Sequence, residues 1–369
     1  MANDLTALAP KLLAQGLMAL RNFNVLPAIV NTDYSPELSN HGLTVDVPIP
    51  AGVPVVDVTP GNTPPSTGDV NPTTTPVTLD QWKEAPFYLT DKDIQQSMDG
   101  VIPMQASEAM SSLVDEVNLH ILTKGYQRSF GFVGTPSTTP FGSDTTDATN
   151  LRKELSNQKC PKGMRRVVID TDAEANALNL RAFQDASFSA DPTAIQEGEI
   201  VHKLGFDWFA DQQVPTHTTG GGSGWLVNNA SVAVGDLTVP IDTGSGDPVV
   251  GDVFTVAGDT QTYVVESFSG GVVTFYPGAK VAWADNAAIT FKASHVANIG
   301  FHRNAIAFVT RPMADIEGMG NIIETAVDPL TGLAVRLEIS REHKRTRFSY
   351  DLLYGCKVIR PELIARLAG

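Results

Sequence analysis

The sequence predicts an α+β fold in which an antiparallel β-domain interrupts a parent fold of mixed helices and strands. Three observations predict this class. An amphipathic helical pattern runs through residues 104–125, short Val/Thr/Phe/Tyr runs between Gly-rich turns fill 225–292, and strand patterns resume after residue 295. Regular short strands of this kind form a small antiparallel barrel or sandwich. The segment 225–292 is about the smallest size for an independently folding domain.

Composition places the chain among ordinary globular proteins. Its 369 residues are 42% hydrophobic and 18% charged, enough to bury a core and to form two or three domains. The formal net charge is −15, with 26 Lys and Arg against 41 Asp and Glu. Because phosphate contacts need clustered basic side chains, this balance argues against nucleic-acid binding as the main role.

Cysteine usage and the N-terminal segment predict a soluble protein made in a cytoplasm. Cys160 and Cys356 lie far apart without CxxC spacing, which indicates a reducing compartment rather than a disulfide framework or a zinc site. Residues 1–23 lack the basic and continuous apolar regions of a signal peptide. The sequence has no apolar run near the roughly 20 residues of a membrane span.

The first element is an amphipathic arm. Leucines at positions 5, 8, 12, 13, 17 and 20 follow helical spacing, which Pro10 and Gly16 interrupt. Such a helix packs either on the core of its own chain or on a neighbouring subunit. Since amphipathic helices mostly serve their own core, the residues alone favour the first alternative.

A proline-rich excursion follows at residues 44–80, which carry eight prolines. Proline lacks a backbone donor, so this segment is either a linker or a long hairpin of edge-type strands. Both ends of the excursion have the residue pattern of β-strands: Leu43–Val47 at its start, and Val77–Trp82 followed by Phe87–Leu89 at its end. An excursion of this length is uncommon inside a compact domain, and such loops usually bind something or are disordered. If the loop is held in place, a partner chain is the natural candidate.

The next elements are a long helix and a mixed α/β centre. The helical stripe of 104–125 ends at Gly125 and predicts a rod of roughly 30 Å, with His120 in a structural role. A short helix is predicted at Leu151–Gln158, then a strand at Arg166–Asp170 and a helix capped near Thr171 or Asp172. Capping explains the aspartates at 170 and 172 better than a metal site does. Another strand with an aromatic cluster is predicted within 198–215.

The stretch "TTGGGSGWLVNN" at Thr218–Asn229 reads as a flexible hinge at the start of the inserted β-domain. The parent fold stops near residue 215 and resumes near 295, where "VANIGFHRNAIAFVTRPM" predicts one strand and residues 334–361 predict two more. The final "PELIARLAG" predicts a short helix with proline in its first turn.

Motifs of enzyme chemistry are missing from the sequence. Ser223 lacks the GxSxG spacing of a nucleophile elbow, and the glycine run leads into strands rather than into the helix of a dinucleotide site. The seven histidines never pair at ligand spacing, and His302–Arg303 fits a strand entrance. We therefore predict no catalytic residue, no cofactor and no metal, and a protein that is not an enzyme.

The densest positive cluster is "REHKRTR", with Arg341, Lys344, Arg345 and Arg347. It is either a solvated turn between two strands or a salt-bridging contact with an acidic neighbour, with phosphate contact as a weaker third alternative.

Four stretches of sequence carry a resemblance to a known family: Gly251–Gly258, Gly300–Met313, Gly332–Ser340 and Asp351–Leu367. With the order of the elements, they resemble the major capsid protein of tailed bacteriophages, which has the Hong Kong phage capsid fold. The likeness is closest to the coat-protein branch of the short-tailed Salmonella phage, whose members carry an inserted β-barrel.

The resemblance implies a division of the chain. The first two implied units are an N-terminal arm at 1–40 and an extended β-hairpin loop at 41–90, which reaches a neighbouring subunit. A peripheral domain follows at 91–159 and 336–369, with a spine helix at 104–125. The remaining units are an axial domain at 160–217 and 295–335 and an inserted antiparallel β-barrel at 218–294. Under this division the arm becomes an intersubunit element.

The resemblance also implies function and partners. The chain would be a structural protein that self-assembles into an icosahedral shell of hexamers and pentamers around double-stranded phage DNA, without binding DNA sequence-specifically. A scaffolding protein and a portal would be its partners. It would be made in the bacterial host cytoplasm and reside in the virion. Isopeptide crosslinking, known in some relatives, is not expected here, although Lys83 and Lys92 lie near the returning loop.

Eight residues are candidate inter-subunit contacts: Leu12, Leu17, Trp82, Lys83, Arg341, Lys344, Arg345 and Arg347. The alternative function is a secreted or surface β-rich binding module, similar to an adhesin, which would explain the inserted domain and the Thr-rich loops. Solution size discriminates between the two, because an adhesin remains a monomer or small oligomer.

Overall fold

The structure is a computed structural model. It describes residues 9–23, 26–34, 42–50, 72–92, 101–184, 202–229, 231–313, 321–328 and 331–369, with single residues at 53, 55, 57, 60, 61, 198 and 200. The tip of the proline-rich excursion therefore lies almost wholly outside the described residues.

The described helices are α1 (Ala9–Phe23), α2 (Leu26–Ile29), α3 (Val101–Gln127), α4 (Thr146–Asn157), α5 (Thr171–Asn179) and α6 (Arg181–Gln184). The described strands are β1 (Thr44–Ile49), β2 (Thr73–Thr78), β3 (Gln81–Thr90), β4 (Gly131–Gly134), β5 (Arg165–Ile169), β6 (Asp207–Ala210), β7 (Thr216–His217), β8 (Leu226–Val227), β9 (Ser231–Val232), β10 (Thr238–Asp242), β11 (Val253–Val256), β12 (Tyr263–Ser269), β13 (Val272–Tyr276), β14 (Trp283–Ala284), β15 (Ile289–Phe291), β16 (His295–His302), β17 (Ile306–Thr310), β18 (Ile322–Val327), β19 (Ala334–Glu342), β20 (Arg345–Val358) and β21 (Ile364–Ala368).

The long helix α3 is the element on which the main core is built. Most of its apolar stripe, including Met110 and Val114, is buried. Gly125 does not end the helix as predicted, because α3 continues to Gln127. A Cβ on Gly125 would lie 3.1 Å from Cδ1 of Ile299, so the glycine allows the helix to approach strand β16 closely. Ser129 Oγ then donates to the carbonyl of Tyr126 at 3.2 Å and satisfies one terminal acceptor.

One side of α3 is covered by a five-stranded antiparallel sheet in which β20 pairs with β17, β19 and β3, and β19 with β18. The two strands predicted within 334–361 are confirmed as β19 and β20. The helix α1 packs in the same core, where the hydroxyl of Tyr350 donates to the carbonyl of Leu12 at 3.0 Å.

A second sheet has the order β4-β21-β16-β5-β6, and β7 also pairs with β16. Its β21 corrects the prediction of a C-terminal helix. Only Pro361–Leu363 form a single 3₁₀ turn, and Ile364–Ala368 form a strand buried along its whole length. This strand pairs with Ala297–Phe301 of β16. If the last residues formed a helix instead, the backbone groups along this edge of β16 would have no hydrogen-bond partners.

Two further predictions are corrected in elements that adjoin this sheet. The strand predicted across residues 296–313 is two strands, β16 and β17, because a 3₁₀ turn at Arg303–Ala305 separates them. The helix cap predicted at Thr171 or Asp172 is Asp170, whose carboxylate accepts from the backbone N–H of Asp172 at 3.2 Å.

Sheet membership crosses the implied boundary between the 295–335 and 336–369 segments. Strands β17 and β18, before the boundary, belong to the sheet of β19 and β20. Strand β21, after it, belongs to the sheet of β16. The chain passes back and forth between the two sheets, so a cut at one residue does not separate them.

The segment between β7 and β16 forms a sheet of its own, with the order β15-β11-β12-β13-β10-β8. Hydrogen bonds from Ile289 N to Trp225 O (2.9 Å) and from Val227 N to Ala287 O (3.0 Å) join its last strand to its first. The interior holds a separate aromatic core, in which the rings of Tyr263 and Trp283 lie 5.0 Å apart between centroids. We refer to residues 218–294 as the insert.

The glycine run at the start of the insert is packed rather than flexible, which corrects the hinge interpretation. A Cβ on Gly222 would lie 1.8 Å from the carbonyl oxygen of Ser245, and one on Gly221 would lie 2.6 Å from Phe291. Two backbone segments therefore cross at a distance that only glycine permits. Composition alone did not distinguish this close crossing from a linker.

Candidate interaction surfaces

The eight candidate contact residues come together around the five-stranded sheet. Four of them, Trp82, Lys83, Arg345 and Arg347, lie on the paired strands β3 and β20. Arg341 is on β19, and Lys344 lies in the turn that joins β19 to β20. Leu12 and Leu17 are on α1, under the inner face of the same sheet.

Partners within the chain neutralise most of the basic cluster. Arg341 pairs with Asp91 at 2.6 Å, and Arg347 pairs with Glu84. Arg345 pairs with Glu342 and lies 4.5 Å above the ring of Tyr88. Acidic partners of the basic cluster are therefore present within this chain: Glu84 on β3, Asp91 directly after β3, and Glu342 on β19. Lys344 has φ of +57° in the tight turn and remains exposed.

Trp82 and Lys83 point to opposite faces of β3. Lys83 forms an ion pair with Glu116 on α3, at 2.7 Å. Trp82 is 63% exposed, while its Nε1 donates to Asp351 at 3.3 Å. Asp351 in turn accepts from Arg336 Nε at 3.0 Å, in an ion pair that is largely buried. Trp82 is thus an aromatic surface held in one orientation by a buried salt bridge.

The arm residues behave differently from one another. Leu12 is 1% exposed and packs in the core of its own chain. Its role as an inter-subunit contact stays a prediction. Leu17 is only partly buried against the same core. The close packing of α1 has a local cause, because Gly16 lies where a Cβ would be 3.1 Å from Met110 and 3.3 Å from Tyr350.

The hairpin of β1 and β2 extends from the body of the chain. Its base packs in a small apolar cluster with Val309 and Ile359, and Lys357 Nζ donates to the carbonyl of Pro76 at 2.9 Å. Beyond that base, Val55 is 99% exposed. The later part of the implied loop is not free, because β3 pairs with β20 along ten residues.

Two clefts separate the insert from the body of the chain. One, of about 420 Å³, lies between β2, the end of α3, the end of β20 and the insert. The other, of about 640 Å³, lies between β4, the end of α4 and the insert. Arg128 on the body and Glu266 on the insert bridge the first cleft with an ion pair of 3.0 Å.

A buried polar joint, consisting of Tyr126, His217, Asp252, His295 and Arg366, lies between the clefts. Burial lowers the pKa of His295 to about 4 and that of Arg366 to about 10. Burial alone would raise the pKa of Asp252, but hydrogen bonds from His217 and from backbone N–H groups outweigh it and lower that pKa. The joint therefore holds a neutral imidazole at His295 and a carboxylate at Asp252 at neutral pH.

Sequence reasoning missed this joint. His217 and His295 are far apart along the chain, yet they are directly opposite in the β7–β16 pair. One signal was available: Arg366 is a single basic residue in the apolar run "LIARLA", and a charged side chain in such a run requires buried partners.

The buried thiols show no sign of nucleophilic chemistry. Burial raises the pKa of Cys356 to about 12 and also raises that of Cys160, so both remain thiols at neutral pH. Among the residues that the structure describes, His, Cys, Asp and Glu form no group of three or more that could hold a metal ion. None of the described helices is long and apolar enough to cross a membrane.

Comparisons with known proteins establish the fold. No protein-family model and no curated protein sequence matches the chain. Among solved structures, a chain of Mycobacterium phage Che8 superposes with a TM-score of 0.54, over 93% of this chain and 90% of that one, at 16% identity. A chain of the capsid structure of cyanophage P-SCSP1u gives 0.51 over 92% and 85%, at 12% identity. The chain thus has a mixed α+β fold of the phage capsid type.

Proposed function

We propose that the chain is the major capsid protein of a tailed bacteriophage, which self-assembles into an icosahedral shell around double-stranded DNA. The observation that carries this proposal is the fold shared with the cyanophage capsid chain over 92% of the present chain. A fold by itself does not fix a function.

The finer assignments belong to the same proposal. We take α3 as the spine helix, residues 218–294 as an inserted β-barrel domain, and the β1–β2 hairpin as the base of the extended loop. The separate core of the insert and the hydrogen bonds that join its outer strands support the second assignment. The sheet of β3, β17, β18, β19 and β20 would be the peripheral domain, and that of β4, β5, β6, β16 and β21 the axial domain.

The partners are proposed on the resemblance alone. The chain would form hexamers and pentamers with copies of itself, a scaffolding protein would guide assembly in the host cytoplasm, and a portal would occupy one vertex of the virion. The branch of the short-tailed Salmonella phage remains the suggested relative because of the insert. The net charge of −15 suits a container along whose wall DNA must slide.

The mechanism is geometric. In a closed symmetric shell every subunit repeats the same contacts, so each interface needs only modest strength. The exposed face of β3 supplies Trp82, an aromatic of the type that dominates protein interfaces. The hairpin, whose Val55 is almost fully exposed, supplies a segment that can reach another copy.

Electron microscopy of the full chain, expressed alone and together with its neighbouring genes, tests the proposal. We expect closed shells of uniform diameter in at least the second condition. A dispersed monomer in both conditions would contradict the capsid function and favour the secreted or surface binding module. Sedimentation velocity on the same samples provides an independent measure of particle size.

A further inference from the structure

The insert is attached to the body of the chain at a narrow root. The chain leaves the body through β7 and returns through β16, where His217 and His295 face each other across the strand pair. Both histidines are buried. Arg366, on the terminal strand β21, is fully buried beside this root, although its strand belongs to the sheet of the body.

The guanidinium of Arg366 contacts three separate elements. Its Nη1 donates to the carbonyl of Gly251 in the insert at 2.9 Å and to Nε2 of His295 at 3.3 Å. Its Nη2 donates to the carbonyl of Tyr126 on α3, whose ring lies 5.0 Å from the guanidinium carbon. His295 can accept this bond because its Nδ1 hydrogen is already donated to the carbonyl of Ala293, at 2.8 Å.

The insert side of the joint is equally fixed. Asp252, the residue after Gly251, is fully buried, and its Oδ1 accepts from His217 Nε2 at 2.8 Å. Its Oδ2 accepts from the N–H groups of Gly221 and Val249, each at 2.9 Å. The turn that Arg366 holds is therefore tied to the glycine run and to the root strand.

Gly251 allows the arginine to reach this turn. It has φ of +93°, and an added Cβ would lie 3.0 Å from the ring of Tyr126. A residue with a side chain would be strained here and would push the insert away from α3. The hydrogen bond between Arg366 and the carbonyl of Gly251 therefore depends on a glycine at this position of the turn.

Away from the joint, the insert and the body are separated by the two clefts of about 420 and 640 Å³. The Arg128–Glu266 ion pair crosses the smaller cleft, but both of its side chains are partly exposed, and such a pair contributes little. Next to it, the ring of Tyr276 on the insert contacts Phe130 on the body edge-on at 5.9 Å and lies 6.0 Å from the guanidinium carbon of Arg128. The two clefts leave space for the insert to rotate about its root once the joint is released and the contacts of Tyr276 with Phe130 and Arg128 are broken.

We propose that Arg366 is a lock by which the C-terminal strand fixes the angle of the insert to the body. Without the guanidinium, the insert keeps its own aromatic core and rotates about the His217–His295 root. Because Arg366 reaches the insert only when β21 is paired with β16, the orientation of the insert depends on completion of the C-terminal strand. The lock does not rest on the proposed capsid function.

The cost of burial favours a positioning role for this side chain. An apolar residue would complete β21 without the desolvation cost of a guanidinium. The hydrogen-bond acceptors that face Arg366 are two carbonyls and a neutral imidazole, and Nε has no hydrogen-bond partner. What the arginine supplies, and an apolar residue does not, is a planar set of donors with fixed directions.

A distance measurement across the larger cleft tests the lock. Spin labels are placed at Asn157 on the body and Lys280 on the insert, which both line this cleft, in a background that carries Cys160→Ala and Cys356→Ala. Double electron–electron resonance on the full chain gives the distance distribution. We expect one narrow peak without further substitution, a shifted or at least twofold broader distribution in Arg366→Met, and an intermediate one in Arg366→Lys.

Controls separate loss of the lock from loss of the fold. Arg360→Met removes a nearby arginine that is paired with Glu362 at a partly exposed site, and we expect it to keep the narrow peak. Near-ultraviolet circular dichroism checks that each variant retains its tertiary packing. If Arg366→Met does not fold, Gly251→Ala disturbs the same joint from the insert side and replaces it. The deciding variant is Arg366→Met if it folds, and Gly251→Ala otherwise. If its distance distribution is the same as that of the chain without this substitution, the proposal is overturned.

Discussion

At the residue scale, the buried joint shows how neighbours decide the behaviour of a side chain. His295 keeps a neutral ring because it is buried and because its Nε2 faces the guanidinium of Arg366. A proton on Nε2 would place two donors and two positive charges against each other. The same imidazole in an unfolded chain takes up a proton in the ordinary range.

This difference predicts a pH dependence. The unfolded chain protonates His295 below about pH 6.5, whereas the folded chain does so only near its pKa of about 4. Stability from this residue is therefore complete above about pH 6.5, falls as the pH drops towards 4, and changes no further below that, by up to about 3 kcal/mol. Denaturant unfolding between pH 7 and 4 measures it.

The variant His295→Gln should show a shallower loss of stability over this range than the original chain. Comparing slopes removes the contributions of carboxylates, which both proteins share. His202→Gln, at an exposed site, controls for the loss of a histidine as such. Parallel slopes for the original chain and His295→Gln would mean that protonation of this ring is not coupled to unfolding.

The crossing of the glycine run also belongs to the residue scale. Gly222→Ala places a Cβ where the carbonyl oxygen of Ser245 now lies 1.8 Å away, so one backbone must shift. We expect a loss of about 1–3 kcal/mol, the usual cost of overpacking. Thermal unfolding measures it, with Ser223→Ala in the same run as the matched control. Equal melting temperatures for the two variants would restore the hinge interpretation.

At the element scale, α1 and β21 show why local pattern is an incomplete guide. The leucine spacing of α1 was sufficient to predict a helix, but it did not say which chain the helix would cover. The residue that decides this is Gly16, where a Cβ would lie 3.1 Å from Met110. The helix therefore approaches α3 and β20 of its own chain closely.

A substitution on α1 tests this docking. Gly16→Val adds a branched side chain against Met110 and Tyr350, and we expect it to destabilise the chain by about 1–3 kcal/mol through overpacking. Ala14→Val adds a branched side chain at an exposed position of the same helix and is the control. Urea denaturation gives both values. If Gly16→Val were no worse than Ala14→Val, the contact of α1 with its own core would not be needed for stability.

At the scale of the whole molecule, the two faces of the five-stranded sheet have different roles: the inner face stabilises the fold, and the outer face is available for association. Its inner face holds the core, and its outer face carries ion pairs with Trp82 among them. Because the charges on the outer face are paired within one chain, this face is stable in contact with water and needs no partner chain. An exposed tryptophan on such a face has little effect on folding and a large potential effect on binding.

Trp82→Ala tests this separation. We expect the free energy of unfolding of the single chain to change by about 1 kcal/mol or less, because the side chain is 63% exposed. We expect each interface that contains it to weaken by about 2 kcal/mol, which lowers the yield of shells. Val327→Ala, at a residue 53% exposed on β18, is the control. Assembly is followed by light scattering, and normal shells from Trp82→Ala would remove this residue from the interface.

The sequence by itself determined the α+β class, the long helix, and the run of short strands between residues 217 and 295. Each depends on a local period or on turn residues, which the chain carries wherever it folds. Lengths were less well determined, because Gly125 reads as a helix end and lies inside α3.

Only the tertiary structure decided the strand at the C-terminus, the rigidity of the glycine run and the joint around Arg366. The apolar run at 364–368 is compatible with a helix or a buried strand, and the open edge of β16 selects the strand. The glycines at 220–222 are compatible with a linker or a close crossing, and the facing backbone at Ser245 selects the crossing. The partners of Arg366 lie on β16, on α3 and in the turn at Gly251. They are too far from Arg366 along the chain for a local sequence pattern to indicate the contact.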